Sequence, residues 1–114
     1  MLFNYEKNGA AIYRESFATI RAEADLSAFT PEEEIIAVRM IHASGMVTLA
    51  QSIKFTSDFA VEARAAIEKG APILCDTKMV SEGITRSRLS KSNQIICTLK
   101  DPRVNAMSMH TGNT

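Results

Sequence analysis

APILCD, Ala71 to Asp76, is the stretch on which the fold turns. It follows Gly70 and gives way to Asp76, and between those markers the chain is apolar without a break. A short continuous apolar run bounded by turn residues reads as a strand buried on both faces of a parallel sheet. A second such run, NQIICTL from Asn93 to Leu99, stops at Asp101-Pro102, a turn signal. Between the two lies TKMVSEGITRSRLSKS, long enough for a short helical turn and a crossover. Two strands joined in this way predict an α/β fold.

Upstream, the pattern is helical. From Ala10 to Ala24, Tyr13, Phe17, Ile20 and Ala24 recur every three or four residues and form one apolar stripe, with Ser16 beside it. A second helix has a clear start: Thr30 as N-cap, Pro31 in the first turn and Glu33 closing a capping box, with Glu32 to Glu34 at the positive end of the dipole. Its inward face is expected to carry Ile35, Val38, Ile41 or His42, and Gly45. Ser57 is placed to cap a third helix with Phe59, Ala63, Ala66 and Ile67 inward, and Gly70 with Pro72 ends it. A further helix is expected to begin near Asn105. No repeat, linker or low-complexity tract interrupts residues 1–114, which read as one domain. Two parallel strands alone leave edges and faces uncovered, so the sheet is expected to be incomplete, finished by further chain or by a partner.

The 114 residues are 46% hydrophobic with zero formal net charge, enough apolar material for a core and no basic excess for nucleic acid. No apolar run approaches the roughly 20 residues that cross a bilayer, and MLFNYEKNGA lacks the basic and apolar regions of a signal peptide. A cytoplasmic protein is expected. Cys75 and Cys97 lie in the two strand-like runs with no partner at metal-ligand spacing, so buried free thiols and no zinc site are expected.

In an open parallel sheet, ligands collect beyond the carboxyl ends of the strands. Asp76 holds that position after the first strand, and Met79, Thr85, Arg86 and Arg88 follow, with Lys91 nearby. The cations read plainly as a solvated basic loop. More sharply, they read as a receptor for a small anion, since arginine's planar fork suits carboxylate or phosphate.

VRMIHASGMV, Val38 to Val47, sets His42 within an apolar helical pattern. A histidine satisfied by a neighbouring carbonyl is the bland explanation. An acid or base near neutral pH is the other, and Ser44 and Gly45 thin the helix surface where a ligand would approach. There is no nucleophile elbow, glycine-rich phosphate loop or dinucleotide fingerprint. His110 is expected to be exposed. The EEEII run marks a helix start, and Arg14, Arg21 and Arg39 are expected in helix-surface salt bridges, with Arg14 near enough to Ser16 to share a ligand.

Several stretches together resemble the precorrin-8X methylmutases of cobalamin biosynthesis: IYRESFATIRAEADL, VRMIHASGMV, GAPILCDTKMVSEGITRSRL and ICTLKDPRV, with a closing GNT. They span about Tyr5 to Thr114 in the family's order and spacing. The resemblance implies a three-layer flavodoxin-like α/β fold, a homodimer with active sites at or near the subunit interface, and migration of a methyl group between adjacent carbons of a corrinoid precursor. Hydrogenobyrinate, or its cobalt-bearing counterpart, would be the product. It implies that His42 protonates or hydrogen-bonds the macrocycle and that Ser16 contacts it. Arg14, Asp76, Met79, Thr85, Arg86 and Arg88 are the further substrate-binding candidates. No cofactor is implied, because an isomerisation needs a placed proton donor and a shaped pocket rather than a redox group. The sequence departs from the family pattern in two places. Ser90-Lys91 stands where a proline and a small residue are usual, and family chains continue past GNT into further strand-and-helix units with glycine-rich loops. A non-catalytic tetrapyrrole-binding module or an inactive fragment is the competing expectation, and a generic flavodoxin-like anion-binding domain a third.

Overall fold

The structure, a computed structural model, describes residues 3–113 and gathers the chain into two compact units, Met1–Val61 and Glu62–Thr114.

The first unit is helical. α1 (Gly9–Glu23) starts where the Asn8 side chain accepts the amide of Ala11. α2 (Pro31–Ser44) starts with the expected capping box: Thr30 Oγ1 accepts from the Glu33 amide at 3.3 Å and Glu33 Oε2 accepts from the Thr30 amide at 3.0 Å. It ends at Gly45, whose φ of 68° is the left-handed conformation that a side chain would strain. The two helices pack around Ile20, Val38, Ile41 and Ala50, the last from a 3-10 turn over Val47–Gln51, with Phe17, Ala24, Leu26 and Phe29 closing the edge. Across the 25–34 region, the Arg21 guanidinium reaches Glu34 at 2.9 Å, the ion pair foreseen for Arg21.

The inward stripe of α2 differs from the expected one. Ala37, Val38 and Ile41 are buried, whereas Ile35 is 57% exposed. At 100° per residue the buried stripe centres on positions 37, 38 and 41, and Ile35 lies more than 100° from that centre. α3 (Phe59–Glu68) also departs from expectation. It begins after a turn in which the Phe59 amide meets the Thr56 carbonyl and Asp58 adopts φ 61°, rather than directly after a Ser57 cap. Ala60 is its buried residue, while Phe59, Ala66 and Ile67 are exposed and Ala63 is half-buried. Phe59 instead stacks on Phe55, which meets Phe29 edge-on.

The second unit is mixed. β1 (Ile73–Cys75) pairs in parallel with β2 (Ile95–Cys97), Ile73 opposite Ile95, Leu74 opposite Ile96 and Cys75 opposite Cys97. The crossover holds α4 (Lys78–Gly83), capped by Thr77, and a 3-10 turn over Arg86–Arg88; α5 (Pro102–Thr111) follows β2. The parallel pair and its crossover are as expected, but burial on both faces is not. Leu74 is 76% exposed while Cys75 is buried, because alternate strand residues face opposite ways and α4 packs against one side. Cys75 is the buried free thiol expected, and Cys97 is half-buried.

Asn93 closes this unit from inside. Its Nδ2 donates to the carbonyls of Ile67 and Ala71, both at 2.8 Å, tying the end of α3 to the entry of β2, while its buried Oδ1 has no partner. Asn93→Leu keeps the branched shape and heavy-atom count and strips both donors. We expect it to destabilise the unit by about 2 kcal/mol, since each acceptor left without a donor costs roughly 1–3 kcal/mol and loss of the unpartnered oxygen offsets part of that. Amide exchange across β1 and β2 would report it, and unchanged protection would show that Asn93 holds nothing.

α5 starts on Asp101, which accepts from the Arg103 amide at 2.9 Å and from its guanidinium at 2.7 Å. The Arg103 side-chain hydrogen bond, followed by its amide, holds the Asp101 carboxyl down at about 2, from an ordinary 3.8. A depressed carboxyl stabilises the fold fully above its unfolded value and loses that stabilisation as pH falls through the folded one. α5 should therefore keep its start at pH 4 and lose it between about 4 and 2, read by amide exchange at Arg103 and Val104. In Asp101→Asn that pH dependence should vanish.

Candidate functional site

Tyr13, Ser16 and Phe17 stand three and four residues apart on α1, and Arg39 and His42 three apart on α2, so each helix turns its set to one side. Packing of α1 on α2 brings the two sets together. Ser16 Oγ lies 2.7 Å from His42 Nδ1. The Tyr13 ring sits 5.1 Å from the imidazole centroid, tilted, and the Phe17 ring 5.4 Å away, edge-on. Ser16, Phe17 and His42 are half-buried.

This geometry fixes the histidine. With Nδ1 engaged by Ser16, Nε2 is the ring nitrogen without a protein hydrogen bond among the described residues. When the ring is neutral and the serine hydroxyl donates to Nδ1, the single ring proton sits on Nε2. The two aromatic rings keep water from much of the imidazole, which strengthens any hydrogen bond made there. The bland explanation for His42 required a backbone carbonyl as partner; the partner is a serine hydroxyl on another helix.

Arg39, expected in a salt bridge, instead lays its guanidinium over Phe17 at 4.8 Å and Tyr13 at 5.5 Å from the ring centroids. It backs the two rings that hold the imidazole. Arg14 is exposed on α1 two residues before Ser16. A shallow groove of about 330 Å³ runs along α1 beside Ser16, lined by Ile12, Glu15, Ser16, Thr19 and Ile20. A larger apolar one of about 770 Å³ involves Ile36, Met40, Leu49, Ile53, Phe55 and Phe59. Ile36 and Met40 lie on the side of α2 away from His42, by helix phase.

The remaining candidates belong to the second unit. Asp76 follows β1 directly and is exposed, as is Met79 on α4. Thr85 precedes the 3-10 turn that carries Arg86 and Arg88, and all three are exposed, as is Lys91. The turn sets the two guanidinium groups within one short segment beyond α4. His110 is exposed on α5. No three His, Cys, Asp or Glu side chains among the described residues gather to hold a metal ion.

Reading the sequence residue by residue separated His42 from Ser16 and missed Tyr13, Phe17 and Arg39 as its surroundings. The signal was present in the i, i+3, i+4 spacing of Tyr13, Ser16 and Phe17, which puts a hydroxyl between two rings on one helical face.

These features define a mixed helix and strand chain with a small parallel sheet and a serine-anchored histidine. The sequence profile of the precorrin-8X methylmutases matches residues 11–114. A precorrin-8X methylmutase from a Sinorhizobium species is 54% identical over 98% of the chain and 53% of its own length. One from Pseudomonas aeruginosa is 49% identical over 99% of the chain and 54% of its own length. The solved structure of precorrin-8X methylmutase from Thermus thermophilus superposes with a TM-score of 0.81 at 33% identity, covering 90% of the chain and 50% of that structure. The chain belongs to the precorrin-8X methylmutase family, and it spans about half the length of the curated relatives it matches.

Proposed function

We propose that the chain is the histidine-bearing portion of an isomerase that moves a methyl group between adjacent carbons of precorrin-8X to give hydrogenobyrinate, in cobalamin biosynthesis. The observation that carries this reading is the 2.7 Å contact between Ser16 and His42 inside an aromatic surround. A methyl shift leaves the atom count and oxidation level of the macrocycle unchanged. The protein need only lend a proton and hold the ring in place, so His42, as the imidazolium with Nδ1–H donating to Ser16 Oγ, gives the proton on Nε2, is left as the neutral ring, and recovers the proton when the shift is complete.

Ser16 has two jobs in this account. It anchors Nδ1, and its place on the 330 Å³ groove lets it touch the macrocycle edge. Arg14, on the same helix, and Asp76, Met79, Thr85, Arg86 and Arg88 of the second unit are the further substrate-binding candidates, each unit taken by itself. Among them, the guanidinium groups of Arg14, Arg86 and Arg88 and the hydroxyl of Thr85 suit a ring fringed with carboxylates.

A groove of this volume takes an edge of a corrinoid rather than the whole of it, so a second protein surface completes the enclosure. That supports a homodimer and a larger three-layer flavodoxin-like sheet, of which β1 and β2 are two strands. No described helix is long and apolar enough to cross a membrane, which fits a cytoplasmic enzyme. The reaction calls for no cofactor. The cobalt-free substrate is favoured because the relatives at 54% and 49% identity are named for precorrin-8X, whereas one named cobalt-precorrin-8 methylmutase, from Leptospira interrogans, is 32% identical over 71% of the chain.

The test is a visible-absorption titration with hydrogenobyrinate, paired with an assay of precorrin-8X conversion. A spectral shift with conversion supports the isomerase. A shift without conversion would point to a non-catalytic tetrapyrrole-binding module. No shift would remove both.

A further inference from the structure

Cys75 and Cys97 end the two strands as directly paired residues of the parallel ladder. Paired residues on neighbouring strands turn their side chains to the same face, with the strands about 4.8 Å apart. That separation falls within the roughly 4.4–6.8 Å between Cα atoms that a disulfide spans. Both thiols are free, Cys75 buried and Cys97 half-buried, so a small oxidant meets Cys97 first and finds a second sulfur behind it. The methyl shift proposed above uses neither.

We propose that Cys75 and Cys97 form a peroxide-sensitive dithiol that closes to a cross-strand disulfide. The Cys97 thiolate attacks one oxygen of hydrogen peroxide, the O–O bond breaks, and a sulfenic acid forms with release of the other oxygen as water after protonation. The Cys75 sulfur then attacks the Cys97 sulfur, its S–H proton leaves with the departing hydroxyl, and a second water is lost. Two thiols surrender two electrons and one peroxide becomes two waters. The resulting bond ties together the carboxyl ends of β1 and β2, at the edge where the crossover carrying α4, Thr85, Arg86 and Arg88 begins. A low-molecular-weight thiol reverses it by exchange.

The experiment treats the purified chain with stoichiometric hydrogen peroxide and maps its peptides under non-reducing conditions. A cross-linked peptide holding Cys75 and Cys97 is expected, together with an intact mass lower by two hydrogens and restored by dithiothreitol. In Cys97→Ser, Cys75 should stay alkylatable after the same treatment. If the wild-type map instead shows sulfinic acid on Cys97, a disulfide between chains, or two thiols still open to alkylation, the proposal is overturned. The wild-type map decides even if the variant does not fold, and it is independent of whether the chain binds a corrinoid.

Discussion

His42→Ala should convert precorrin-8X at least about 100-fold more slowly than the parent enzyme, the lower end of what one positioned proton donor contributes. Affinity for hydrogenobyrinate should stay within a few-fold. The imidazole is held by Ser16 on one nitrogen and by Tyr13 and Phe17 on its flanks, so removing it deletes the donor while α1 and α2 keep their packing around Ile20, Val38 and Ile41. Conversion rates measured at saturating substrate, beside an absorption titration with product, separate the two effects. A variant with undiminished turnover would refute the acid role. One that loses binding and turnover together would reassign His42 to substrate anchoring.

Ile41→Ala, one residue earlier, should produce the opposite pattern. Ile41 is 1% exposed and, with Val38, is the largest side chain wholly enclosed in the first unit. Truncating it removes buried methylene and methyl groups and leaves a cavity against Ile20 and Ala50, worth about 3 kcal/mol within the usual 2–5 kcal/mol range for such a change. Urea unfolding followed by far-ultraviolet circular dichroism should show a lower midpoint with little change in slope. Any surviving turnover should track the folded fraction. A loss below about 1 kcal/mol would mean that the α1–α2 contact is not the core on which the site rests. Adjacent residues on α2 thus divide the labour: Ile41 faces the core, and His42, 100° further round, faces Ser16 on α1.

Local signals in the sequence were strong wherever local chemistry decides the outcome. Thr30, Pro31 and Glu33 announced the start of α2, and the runs Ala71 to Asp76 and Asn93 to Leu99 announced a parallel pair, because caps and strand runs are written in consecutive residues. Failures came where distant packing decides. Ile35 shares a helical spacing with Val38 and His42, yet the packing of α1 lies over Ala37, Val38 and Ile41 and leaves Ile35 exposed. Leu74 looks buried from both sides, but within its unit only one face of the two-stranded sheet is covered. Arg39 could have met any nearby carboxylate, and only the approach of α1 shows that two aromatic rings lie beneath it. The site behaved in the same way. His42 and Ser16 were each legible as polar residues beside apolar stripes, but the 2.7 Å contact between them depends on how the two helices cross, which no local pattern encodes.

In the proposed isomerase, His42 presents Nε2 to a corrinoid while Ser16 holds Nδ1. A crystal structure of the protein with hydrogenobyrinate bound tests it most directly. The macrocycle edge should lie beside α1, with Nε2 within hydrogen-bonding distance of the ring and the Ser16 contact preserved. A macrocycle seated away from α1 and α2, with the His42–Ser16 pair untouched by ligand, would contradict it.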